Sequence, residues 1–118
     1  MPMDLPPETR RLGEDWVETA ELRPSGLDDV VDLVGLVVSA ELRDAYRPEA
    51  APALQGSTAG AFVIFGDRTA DGRVPVIVRA PAALVSERLA EGDYRFDLIA
   101  ARDGLTLTWA SGLRRFRS

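Results

Sequence analysis

The stretch Val30-Val31-Asp32-Leu33-Val34-Gly35-Leu36-Val37-Val38-Ser39-Ala40-Glu41-Leu42 decides how this chain is read. Its five valines favour a β-strand, because β-branched side chains pack well on a pleated surface. Gly35 in its middle suits a bulge or a sharp bend better than a helix interior. A helix starting at Leu27 is the alternative, since Leu27, Val30, Val31 and Val34 share a helical face. The strand reading gives one long first strand, bent at Gly35, with everything before it as an extension.

Working forward, residues 44–58 hold Pro48, Pro52 and Gly56 and read as a long loop. Residues 59–66 form a second strand. Residues 67–72 form a hairpin loop closed by Asp71-Gly72, and residues 73–79 a third strand. In that third strand Val74, Val76 and Val78 share one face, and Pro75, Ile77 and Arg79 the other. Pro75 has no N–H, so the strand is at an edge or irregular there. Pro81 to Ala90 turn helical, with Pro81 in the first position, an apolar stripe of Leu84, Val85 and Leu89, and Gly92 as the stop. Residues 94–100 alternate, placing Tyr94, Phe96 and Leu98 inward and Arg95 and Asp97 outward. Asp103-Gly104 makes a second tight turn into residues 105–110, where Leu105, Leu107 and Trp109 share a face.

Working backward, residues 14–23 are ambiguous between strand and helix, although Trp16, Ala20 and Leu22 have strand spacing. Residues 1–13, with Pro2, Pro6, Pro7 and Gly13, read as a weakly docked tail. The expectation is therefore a mainly all-β chain: an N-terminal acidic extension over 1–29 and one domain over 30–118. Five strands with a short helix between the third and fourth is the order of the five-stranded OB-fold barrel.

Four segments carry a resemblance: Gly60-Ala61-Phe62-Val63-Ile64-Phe65, Val74-Pro75-Val76-Ile77-Val78, Leu84 to Leu89, and Glu91-Gly92-Asp93-Tyr94-Arg95-Phe96. Together they resemble bacterial single-stranded-DNA-binding proteins and the related primosomal replication protein N, over about residues 30–112. In those families Gly-Asp opens the fourth strand, as Gly92-Asp93 does here. Their acidic C-terminal tip is absent; this chain ends Arg-Arg-Phe-Arg-Ser. The resemblance implies an OB-fold groove for single-stranded DNA in replication, repair or recombination.

Composition narrows the chemistry. The 118 residues fit one domain. There is no histidine and no cysteine, which excludes thiolate metal sites, cysteine nucleophiles and every histidine-containing triad. All 14 cations are arginines, so Schiff-base chemistry is excluded, and glycine-rich Gly56-Ser57-Thr58-Ala59-Gly60 lacks the lysine of a phosphate loop. Asp28, Asp29 and Asp32 could hold a divalent ion, but read more simply as a helix start or exposed turn. No enzyme activity, cofactor or metal is expected. No apolar run approaches the roughly 20 residues of a membrane span, and Met1-Pro2-Met3-Asp4 has no signal-peptide pattern; a cytoplasmic protein is the expectation.

The net charge of −5 argues against nucleic acid, but it is unevenly spread. Residues 1–32 carry −6 and residues 33–118 carry +1. Single-strand binding needs cations for phosphates and flat faces for bases. The candidates are Arg47, Phe62, Arg68, Arg73, Arg79 and Arg102, with Tyr46 in the long loop and Arg114, Arg115 and Arg117 near the end. Each has a plainer reading: Phe62 as core, Arg68 and Arg73 as solvated hairpin flanks, Trp16 and Trp109 as core or interface. Two functions stay open: single-stranded-DNA binding, with a homodimer formed through the valine-rich first strand, or a protein-interaction and assembly subunit without nucleic-acid binding.

Overall fold

The computed structural model describes residues 2–24 and 31–118. The chain is mainly β, as expected. The larger sheet is built around a long hairpin, β8 (Gly92–Arg102) and β9 (Leu105–Arg117). Beside β8 lies β4 (Val37–Asp44), and beside β4 lies β5 (Leu54–Ser57). The outer edge of β9 carries two short strands in parallel, β1 (Met3–Asp4) and β2 (Glu8–Arg11). The smaller antiparallel sheet has β7 (Val74–Ala80) between β3 (Trp16–Leu22) and β6 (Val63–Phe65).

Strand alternation builds the core between these sheets. Val74, Val76, Val78 and Ala80 face inward from β7, and Tyr94, Phe96 and Leu98 from β8. Trp16 meets Phe96 edge-on at 5.4 Å, joining β3 to β8 across the gap. The helix α1 (Ala82–Arg88) caps one end with buried Val85, followed by buried Leu89. Pro81 is its N-cap rather than its first residue, and the Asp15 carboxylate accepts the Ala82 N–H at 2.9 Å. Pro75 sits just past the end of β6: the Gly66 N–H donates to its carbonyl at 2.8 Å, and the missing proline N–H leaves the return bond of that pair unmade, ending the ladder there.

The sheets do not close into a barrel. Closure requires every strand edge to be paired. One seam is tight: Ser57 bridges Phe62, and the Ser57 N–H donates to the Ala61 carbonyl at 3.1 Å. At the other seam β1 and β2 pair with β9 and leave β3 unpaired on that side. A cleft of about 270 Å³ lies there, walled by Pro6, Glu8 and Arg10 on one side and Glu18 and Ala20 on the other.

Several local expectations change. Gly35 is not a bend within a strand: it lies in a turn at φ +70°, and β4 starts at Val37. Residues 31–36 are not helical, while Leu27, Asp28, Asp29 and Val30 lie outside the described residues. The loop over 44–58 contains β5. Residues 3–22, expected within an extension, supply strands to both sheets, and Trp16 is among the most buried side chains. Asp97 is buried rather than outward, accepting from the Ser111 hydroxyl at 2.6 Å and paired with Arg95. The valine-rich strand offers no free edge for a second copy, because β4 is flanked by β5 and β8.

Candidate functional site

The acidic N-terminal residues meet arginines of the near-neutral body. Glu18 on β3 receives Arg114 Nε at 2.8 Å and Nη2 at 3.2 Å, Trp16 Nε1 at 2.8 Å and Arg10 Nη2 at 3.0 Å. Both Glu18 and Arg114 are buried. The remaining Arg114 nitrogen donates to the Pro6 and Leu113 carbonyls, each at 2.9 Å, and its guanidinium lies 5.1 Å from the centre of the Phe96 ring. This cluster bridges the open seam with side chains where backbone pairing is absent. Arg10 also holds Glu8, and its hydrogen bond and charge keep the Glu8 carboxyl below the usual range.

Carboxylates also reach two of the expected DNA-binding residues, Arg73 and Arg79. Arg73 lies 3.1 Å from Asp71 and 3.7 Å from Glu21, and Arg79 lies 3.3 Å from Asp15. These two arginines flank or occupy opposite ends of β7, roughly 20 Å apart at strand rise. Arg68 donates to the Gly72 carbonyl at 3.4 Å. Arg47 is exposed in the turn after β4, in the other sheet. Tyr46 next to it donates its hydroxyl to Asp93 at 3.0 Å, and that bond pushes the phenol up. Arg102, at the β8–β9 tip, donates to the Asp32 carbonyl. Arg115 and Arg117 lie on the strand β9 and share Asp93, at 3.8 and 3.3 Å. Phe62 is half-buried at φ +48°, edge-on to Trp16 at 6.2 Å. The small sheet holds Phe62, Arg68, Arg73 and Arg79, without gathering its arginines; Arg47 and Arg102 belong to the large sheet.

A different surface stands out. The turn Asp103-Gly104, with φ +52° and +80°, is a tight hairpin that carries β9 back from the end of β8. Leu105 and Leu107 keep the alternation expected of them, yet are 78% and 63% exposed. Their cross-strand neighbours are Arg102 and Ala100, beyond a bulge at Leu98/Ile99. They overhang a cavity of about 520 Å³ that Val31, Leu36, Ala100 and Ala101 also line. Among the described residues nothing pairs with the outer edge of β9 from Leu105 to Trp109, and β1 first meets it at Ala110. Leu-Thr-Leu-Thr-Trp thus presents an uncharged, unpaired strand edge. The sequence held the signal, an alternating segment behind an Asp-Gly turn, but alternation put Leu105, Leu107 and Trp109 on one face without showing what covers it.

No protein-family model matches the chain, and no curated protein matches it. Among the described residues no helix is long and apolar enough to cross a membrane, and no group of three carboxylates is placed to hold a metal ion.

Proposed function

We propose that this chain is a non-catalytic β-sheet interaction module that assembles with another protein chain through the β8–β9 hairpin. The observation that carries this is the contrast between two surfaces. The arginines of the small sheet face carboxylates or a backbone carbonyl, whereas Leu105 to Trp109 are apolar or neutral, with Leu105, Thr106 and Leu107 exposed and the outer edge unpaired among the described residues. Exposed apolar edges of that kind are rare on isolated chains, since they template pairing with other strands. A single-stranded-DNA groove would need unneutralised cations next to stacking faces. The residue inventory, without histidine, cysteine or lysine, fits a binding role better than catalysis.

Two measurements test this. Fluorescence anisotropy with labelled oligo-dT at low salt is expected to show no binding; affinity that declines as salt rises would return the function to nucleic acid. A photo-crosslinking amino acid at Leu107, in cells of the source organism, is expected to give a protein adduct, with none from the same group at Arg88 on α1. Absence of any Leu107 adduct overturns docking at the hairpin.

A further inference from the structure

We infer that the chain occupying the free β9 edge is a second copy of this protein, joined antiparallel across a twofold axis at Leu107. The inference rests on the docking reading above and identifies its partner.

Among the described residues the unpaired window runs from Leu105 to Trp109, bounded by the Asp103-Gly104 turn and by Met3, which pairs with Ala110. A twofold centred on Leu107 uses that window completely. Antiparallel pairing about one residue always sets odd positions against odd and even against even. Leu107 therefore meets Leu107 of the second copy, Leu105 meets Trp109, and Thr106 meets Thr108. Apolar side chains share one face and threonines the other, the pairings that stabilise a sheet.

The backbone agrees. A two-residue turn makes Arg102 and Leu105 the hydrogen-bonded pair of the hairpin. Bonding alternates along an antiparallel strand, so Thr106 and Thr108 turn their N–H and C=O groups outward. In the twofold arrangement those are the groups that face one another, giving four inter-chain bonds. No charged side chain lies between Leu105 and Trp109. A neutral, self-complementary edge facing another copy extends the large sheet across the axis and covers Leu105 and Leu107.

Sedimentation equilibrium over a concentration series reaching roughly 1 mM tests this. The wild type is expected to approach twice the chain mass. Thr106→Pro removes an outward N–H without breaking a bond within the hairpin, and Leu107→Glu places two carboxylates on the axis. Either variant is expected to weaken association by about tenfold or more, with an unchanged far-ultraviolet spectrum. Ile64→Glu, at an exposed position on β6, should associate as the wild type does. Leu107→Glu decides the matter if the proline variant unfolds. A wild type that stays monomeric throughout overturns the inference, as does a Leu107→Glu variant that dimerises normally. A Leu107 crosslink to a different protein, with a monomeric wild type, rejects the second copy and leaves the docking reading standing.

Discussion

Replacing Arg114 by methionine tests whether the open seam is held by a desolvated ion pair. The native guanidinium makes two bonds to Glu18 and one each to the Pro6 and Leu113 carbonyls. Methionine keeps an unbranched apolar stem beside Phe96 and removes the charge. Glu18 then stays buried with the Trp16 N–H and Arg10 as its remaining donors. Removing one partner of a buried pair costs about 3–5 kcal/mol, and the two surviving donors place this case near the lower end, about 3 kcal/mol. A domain of this size has a stability of about 6–18 kcal/mol, so the loss is large but survivable. Urea unfolding followed by circular dichroism measures it, with an unchanged slope identifying a change in stability alone. Adding Glu18→Gln removes the stranded carboxylate while keeping an oxygen for Trp16. The double variant is expected to recover about half of the loss or more, a coupling well outside additivity. A loss below about 1 kcal/mol for Arg114→Met is the range of exposed pairs and would refute burial of the cluster. Strict additivity in the double variant would refute it as well.

Three further outcomes are expected. The Glu8 carboxyl is held below its ordinary 4.5, first by the Arg10 hydrogen bond and then by its charge. A lowered folded value means the contribution of Glu8 to stability is complete above about 4.5 and is lost as pH falls through the folded value. A carbon-13 titration of Glu8 should move back to the ordinary value in Arg10→Gln, and an unmoved titration would break the assignment. A Cβ on Gly56 would lie 2.5 Å from both the Ala61 carbonyl oxygen and the Phe62 ring, so Gly56→Ala should cost about 3 kcal/mol in urea unfolding; a neutral change would mean that the seam is loose. Gly104→Ala has free space but sits at φ +80°, and should lower stability by about 1 kcal/mol, read from the same experiment, with no change at all arguing against the tight turn.

Much of the architecture is legible wherever a segment alternates and buries one face. Val74, Val76 and Val78, the Tyr94-Phe96-Leu98 row and the short helix are all placed by local pattern. Residues 8–11, Glu-Thr-Arg-Arg, give no such signal, because β2 is an edge strand stabilised by a partner about a hundred residues away. The four-residue β5 is masked in the same way by the prolines before it. Leu105 and Leu107 are legible as sharing a face, but not as exposed. Alternation reports which face a side chain takes, not whether the opposite sheet extends far enough to cover it. The basic candidates were visible as residue types, while their acidic partners came from the segment expected to be an extension.

The parallel docking of β1 and β2 on β9 bears on the order of folding. Their ladder ends in the Leu5 N–H to Ser111 carbonyl bond and the Leu12 N–H to Arg117 carbonyl bond. Both strands pair with β9 and with no strand nearer in sequence among the described residues, so their ladder forms on a β9 already settled against β8. The closure entropy grows only slowly with span, but it must be met before so non-local a pairing gives anything back, which makes this docking a late step on a slow route. Until it happens, Arg114 lacks the Pro6 carbonyl as acceptor, so the N-terminal strands act as a latch that is both the last part to seat and the first to lift.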